Sequence, residues 1–407
     1  MRDPALAPSS DDRQRWHDAD QDARPQRLGR LRERMVGEGV DAYFGLGAEN
    51  ARYLTGFELG DGEDKVRGSS GRFLVGADEV IVIADSRYRL QAEEQCRGAR
   101  IEPFSTGFPQ RFRELLAGLR SISGEGAGGV RRVAVEATNL SHAEWQAIVD
   151  EAPELELVPS DGWVEGARAT KEPSELERIG VACAIADRAL EETLADIVVG
   201  ASERDLALAL EWRMRTGGAD ALAFDVACLA GSRAALPHGS PGERMVQRGE
   251  VLLFDFGAQV AGYRSDMTRT LFVGEPTSRD RSVYELVARA QEASLSLLAD
   301  TLAAGNVPTN REVDAAARDV IEAAGHGDHF GHGTGHGIGL ATHERPSVGR
   351  AAVEAVLPSP TVFSVEPGVY LDGKTGVRIE DLVAVDVAAS EMRRLTGFTR
   401  DITVVAA

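Results

Sequence analysis

Four carboxylates in this chain lie within, or at the ends of, runs apolar enough to be core strands. Asp255 follows Val251-Leu252-Leu253-Phe254, Glu366 follows Ser364-Val365, and Glu380 lies in Val377-Arg378-Ile379-Glu380-Asp381. Asp266 opens a returning run after a turn at Ala261-Gly262. Folded as a hairpin, these segments let Asp255 and Asp266 face one another across adjacent strands. Any one of the four, taken singly, reads as a solvated or salt-bridged acid, because acids rarely stay buried unpaired. Burying all four together costs too much in repulsion and desolvation unless cations balance them. The fold must therefore gather distant strand ends around positive charge.

Histidine supplies the second half of the pattern. Only eight occur, and His326, His329, His332, His336 and His343 fall in one short segment interleaved with glycine at 331, 333, 335, 337 and 339. Glycine leaves no side chain to crowd a ligand and permits unusual backbone angles, which suits a site built from backbone as well as side chains. The bland alternative is a flexible His-rich surface tract that collects metal adventitiously. A dinucleotide fingerprint is excluded by register, since His336 stands where the third glycine counted from Gly331 would fall. Gly239-Ser240-Pro241-Gly242 lacks the glycine two residues before the serine that a nucleophile elbow needs. Carboxylate oxygens with one imidazole favour hard or borderline divalent ions such as Mn, Co or Zn.

The rest of the chain bounds where such a site can sit. A balance of 45 basic against 65 acidic side chains gives a net charge of −20, so no nucleic-acid partner is expected. With 407 residues, 43% of them hydrophobic, the chain is large enough for two domains. No apolar run approaches the roughly 20 residues of a membrane-spanning helix, so no membrane partner is expected either. Cys96, Cys183 and Cys228 are odd in number and form no CxxC pair, and the polar first residues carry no apolar leader. Both features set a cytoplasmic location as the expectation.

Residues 1–24 read as a flexible polar tail. Residues 25–165 read as an α/β domain, with a helix around Leu28, Leu31 and Met35, a loop over 60–71, and strands at 72–75 and 80–84 joined as a hairpin. Helices are expected over 88–95 and 111–119 and after Ser141, with a strand over 132–136. Residues 166–407 read as an α+β domain with an antiparallel sheet. Its helices are expected over 173–196, 202–215, 282–303 and 310–324, and its strands over 223–229, 251–255, 263–273, 361–365 and 376–385.

The segments FDFGAQVAGYRSD, HGTGHGIGL, SVEPG and GVRIED resemble, in order and context, those of the pita-bread metallopeptidases: methionine aminopeptidase, aminopeptidase P and prolidase. NARYLTGF resembles the N-terminal domain of the larger members, including creatinase. The resemblance implies an α+β pita-bread catalytic domain preceded by an α/β creatinase/prolidase-type N-terminal domain. It implies two divalent ions, Mn first with Co or Zn as alternatives, held by Asp255, Asp266, His336, Glu366 and Glu380. Asp266 and Glu380 would bridge the pair, Asp255 completing one site and His336 with Glu366 the other.

On the same basis Glu366 doubles as general acid/base, His332 and His343 hydrogen-bond the substrate carbonyl or its oxyanion, and His238 lines the substrate pocket. Arg378 would orient a bridging carboxylate, while His326 and His329 have no counterpart and read as surface or loop residues. The implied function is hydrolysis, by metal-activated water, of the bond between an N-terminal residue and proline, as in an Xaa-Pro aminopeptidase or dipeptidase. A homodimer and a peptide substrate with proline at the second position are the implied partners. Ser347 follows the HERP element, with Arg345 inside it and Arg350 beyond, so dipeptidase and aminopeptidase both stay open. A creatinase-like hydrolase of a small C–N compound and a catalytically silent peptide-binding relative are the alternatives.

Overall fold

The computed structural model describes residues 7–59, 70–104, 107–122 and 129–405; most of the loop expected over 60–71 lies outside them. Gln14–Arg168 forms one compact unit, and Ala169–Ala407 makes up most of a second.

The flexible tail expected over 1–24 is corrected from Ser10 onward, because Ser10–Glu38 is one helix. Its composition is polar, but Trp16, Arg24 and Arg27 are buried. Arg27 stacks on the Tyr53 ring at 4.2 Å and donates to the Tyr53 carbonyl, while Arg24 donates to the Gln95 carbonyl. Long arginine stems bury apolar surface while their heads find backbone acceptors, so a hydropathy reading mistakes an anchored helix for a tail.

The first unit carries a six-stranded mixed sheet of β1 (Ala42–Gly45), β2 (Arg72–Val75), β3 (Val80–Ala84), β4 (Arg100–Pro103), β5 (Arg132–Glu136) and β6 (Glu156–Ser160), in the order β4-β3-β2-β1-β5-β6. β2 and β3 form the expected hairpin, and β1 pairs antiparallel with β2 but parallel with β5. Helix Phe108–Gly118 repeats apolar residues at Phe108, Phe112, Leu115 and Leu116, and that stripe packs on Phe44, Leu74, Ile81 and Val133. Ser141 caps helix His142–Glu151 by accepting from the Glu144 amide.

The second unit contains two larger, mainly antiparallel sheets. One joins β8 (Ala227–Ala230), β9 (Val251–Phe256), β12 (Met267–Val273) and β20 (Val404–Val405); the other joins β13 (Gly335–Gly337), β14 (Glu344–Val348), β15 (Thr361–Val365), β18 (Asp381–Asp386) and β19 (Glu391–Arg394). Smaller pairings involve β7 (Ala221–Leu222), β10 (Ala258–Val260) and β11 (Tyr263–Arg264), and β16 (Gly368–Leu371) with β17 (Thr375–Arg378). Helix Ser278–Ala303 serves both large sheets. Val283, Val287 and Ala290 join Val251, Leu253 and Phe272, whereas Leu295, Leu298 and Leu302 join Phe363, Val365 and Val383. Capping boxes at Glu172/Glu175 and Thr309/Glu312 start two flanking helices, Pro173–Thr193 and Asn310–Ala323.

Three expected strands are interrupted. The run 263–273 breaks at Ser265-Asp266, the run 376–385 breaks at Ile379-Glu380, and 223–229 is replaced by the separate β7 and β8. Strand β13 was not expected, since Gly-His-Gly has little strand propensity. Its glycines answer to close backbone packing rather than to unusual angles: a Cβ on Gly335 would lie 1.8 Å from the Ser364 carbonyl oxygen, and one on Gly337 2.1 Å from that of Arg345.

Candidate metal centre

Each break in the second unit carries an acid. β9 and β12 pair so that Thr268 opposes Asp255, and Asp266 sits just before β12 where the backbone leaves the sheet. Glu366 directly follows β15, with its amide donating to the Thr334 carbonyl. Glu380 occupies the gap between β17 and β18, its amide donating to the Thr268 carbonyl. His336 is the middle residue of β13. All five line one cavity of about 890 Å³, which His238, His329, His332, His343, Tyr370 and Arg378 also line.

Within it, Asp266, His336 and Glu380 offer donor atoms that all lie within 4.8 Å of one another. His336 Nδ1 lies 3.0 Å from the Gly337 carbonyl oxygen, which places its proton there and leaves the Nε2 lone pair facing the acids. That Nε2 is 3.3 Å from Glu366 Oε1 and 3.7 Å from Asp266 Oδ2. Burial, followed by the neighbouring carboxylates, pushes the carboxyls of Asp266 and Glu380 well above their ordinary range. Burial also lifts Glu366 and lowers His336.

The donor set fits divalent ions. Glu380 Oε1 is buried without any hydrogen-bond partner, a lone pair kept open where one more carboxylate and an imidazole converge. Acids this crowded stay ionised only beside cations, and oxygen-rich donors with one nitrogen suit hard or borderline ions.

Behind the acids runs a hydrogen-bonded chain. Arg378 donates from Nη2 to Asp255 Oδ2 at 2.5 Å, from Nε to Thr268 Oγ1 at 2.8 Å, and from Nη1 to Tyr370 Oη at 2.9 Å. Thr268 Oγ1 passes its own proton to Glu380 Oε2 at 2.7 Å. Burial opposes the charge on Arg378, but Tyr370, Asp255, Glu366 and Glu380 outweigh it and hold the guanidinium firmly protonated. Arg378 thus grips Asp255 directly and reaches Glu380 only through Thr268, where the sequence reading had it orienting a bridging carboxylate.

Tyr370 Oη lies 2.9 Å from His332 Nε2, and His332 Nδ1 lies 2.7 Å from the Gly333 carbonyl oxygen. Both ring nitrogens of His332 are engaged here, and the ring lies on the cavity wall where the sequence reading has it hydrogen-bonding the substrate carbonyl. His343, by contrast, tilts over His336 with ring centroids 4.2 Å apart, and burial lowers its pKa, as it does that of His332. The residue after it, Glu344, is tied to Lys171 at 2.6 Å, with both side chains buried, which fixes the start of β14.

Sequence reasoning missed Tyr370 and Thr268. Thr268 stands two residues after Asp266 and so on the same face of a strand, a signal that was available. Tyr370 carried none beyond following the SVEPG segment. Of the two read as surface or loop residues, His326 precedes a 3-10 turn (Gly327–His329) and His329 ends it, on the cavity wall.

A cavity where strand-end acids converge with the His336 imidazole, carried by two mainly antiparallel sheets, is the architecture of a pita-bread metal hydrolase. Residues 177–386 match the description Metallopeptidase family M24, and residues 27–170 match the Creatinase/Prolidase N-terminal domain. The chain belongs to metallopeptidase family M24. It is 33% identical over 362 residues to the peptidase YqhT of Bacillus subtilis, covering 88% of this chain and 95% of that one. Among solved structures it resembles an Xaa-Pro dipeptidase from Bacillus anthracis, with 31% identity, a TM-score of 0.81, and coverage of 93% and 99% of the two chains. It likewise resembles an X-Pro aminopeptidase from Thermotoga maritima, with 32% identity, a TM-score of 0.74, and coverage of 90% and 98%. Among the described residues, no helix is long and apolar enough to cross a membrane.

Proposed function

We propose that the protein hydrolyses the bond between an N-terminal residue and a following proline, using two divalent ions held by Asp255, Asp266, His336, Glu366 and Glu380. The observation that carries this reading is the convergence of those five side chains on one cavity, with Glu380 Oε1 left open. The names of relatives that match nearly the whole chain supply the proline preference. Manganese is the ion of first choice on the donor set, with cobalt or zinc as alternatives. When bound, the ions supply the acidity that makes water a nucleophile near neutral pH and polarise the scissile carbonyl.

The chain's own residues do the rest. Glu366 Oε1 accepts from Ser364 Oγ at 3.0 Å, which orients the carboxylate to take the proton of the attacking water and deliver it to the leaving nitrogen. Neutral His343, set against His336, donates to the substrate carbonyl as negative charge develops on it. His238 lines the wall that receives the substrate. Arg378, Tyr370 and His332 act as positioning residues, holding Asp255 in register without touching the reacting atoms. A domain division near 165, a homodimer and a cytoplasmic location complete the reading; the three buried free cysteines suit a reducing compartment.

The test is hydrolysis of an Xaa-Pro dipeptide and an Xaa-Pro-Xaa tripeptide by metal-stripped protein, before and after adding Mn, Co or Zn. Metal-dependent cleavage is expected, and the preferred length assigns dipeptidase or aminopeptidase. Two ions bound with neither peptide cleaved would overturn the proline reading in favour of a non-peptide C–N substrate.

A further inference from the structure

Two of the clustered histidines have no part in the centre described above. Helix Asn310–Ala323 ends at a left-handed Gly325 (φ +79°), and the chain then makes the 3-10 turn Gly327–His329, closed by the His329 amide donating to the His326 carbonyl at 2.9 Å. Side chains at i and i+3 eclipse on a 3-10 turn, so His326 and His329 are brought together. Their Nδ1 atoms lie 3.4 Å apart, and the rings tilt by 56° rather than stack. Both are partly buried, and His329 faces the cavity.

That spacing lets one ring hydrogen-bond the other, and it also matches the bite of a metal ion. Two nitrogens each ~2.0–2.1 Å from a tetrahedral zinc are about 3.3–3.4 Å apart. We propose that His326 and His329 form a separate, imidazole-only site for a borderline divalent ion of the zinc, nickel or copper class, on the wall of the catalytic cavity. Each ring coordinates through Nδ1 and carries its single proton on Nε2, so two neutral imidazoles bind without losing a proton. Among the described residues, no third His, Cys, Asp or Glu completes a three-donor group here, so water fills the remaining positions and the ion exchanges readily. Two nitrogens without a carboxylate discriminate against manganese, whereas the acid-rich centre accepts it. The molecule would thus sort ions by donor chemistry at two places along one cavity.

The site is independent of the proposed peptidase reaction, and metal counting tests it. Manganese-loaded protein is dialysed against zinc, and both metals are counted per chain in the wild type, His326→Gln and His329→Gln, with circular dichroism confirming that all three are folded. The wild type should hold one zinc more than either variant, and the difference should vanish when manganese alone is supplied. Equal zinc in all three would overturn the proposal, as would an equal difference with manganese. The same comparison in an Asp266→Ala background separates the two readings: loss of the central ions leaves the one-zinc difference in place if the turn binds on its own.

Discussion

Two buried glutamates, one in each unit, show how a structural acid differs from a functional one. Glu136 at the end of β5 is saturated by neutral donors: Tyr43 Oη at 2.8 Å, the Leu46 amide at 2.8 Å, the Gly47 amide at 2.6 Å and Asn50 Nδ2 at 3.0 Å. Burial raises its pKa, and those hydrogen bonds pull the other way. Glu380 receives Thr268 on one oxygen and nothing on the other, and its nearest charged neighbours include Glu366 and Asp255. Burial alone therefore does not mark a site. An acid buried with a lone pair unmet and like charges beside it does.

The largest test of that contrast is Glu380→Gln, which should lower the metal content below two ions per chain and reduce peptide hydrolysis below detection. Full activity with two ions retained would break the contrast. Next comes Tyr370→Phe, which leaves every donor of the centre in place but cuts the link between Arg378 and His332. It should keep both metals and lower kcat by about 10–100-fold, the usual effect of removing an outer hydrogen-bond partner. Glu136→Ala should do the reverse, leaving metal content intact while the urea midpoint drops by an amount equivalent to about 1–3 kcal/mol, because the Leu46 and Gly47 amides lose their acceptor.

The smallest effect is a slope against pH. In the metal-free protein Glu380 keeps its proton to a higher pH folded than unfolded, so its stabilising contribution is complete below about pH 4 and is lost as pH rises through the raised folded pKa. Metal-free wild type should therefore lose melting temperature relative to metal-free Glu380→Gln as pH rises above the ordinary glutamate range. Added manganese should flatten that difference. The corresponding difference for Glu136→Gln, whose pKa is raised without any metal nearby, should stay the same with or without manganese.

Much of the site was legible because its donors punctuate apolar runs, and a run such as Val251–Phe256 announces itself as a strand. The breaks were less legible. Nothing in Tyr263 to Val273 distinguishes a continuous strand from one that changes partner at Ser265-Asp266, since the two parts pair with different strands, β10 and β9. β13 was hidden for a related reason: its glycines are selected by the Ser364 and Arg345 backbones pressing on either side, contacts no local pattern encodes. Around Leu28, Leu31 and Met35 the helix Ser10–Glu38 was legible from its apolar spacing, whereas its first half escaped because the anchors there are Trp16, Arg24 and Arg27.

The donors are also far apart along the chain, and this bears on the order of assembly. Asp255 and Glu380 are separated by 380 − 255 = 125 positions, with His336 and Glu366 between them. A site drawn from donors so far apart is complete only once the strands that carry them have paired, and pairing over such distances is slow. Without an ion, burial and the neighbouring acids favour the protonated carboxyls of Asp266 and Glu380, which lowers the charge the sheets must enclose. Metal loading is then an exchange of protons for ions in a finished enclosure, and acidity during refolding should help the chain reach it.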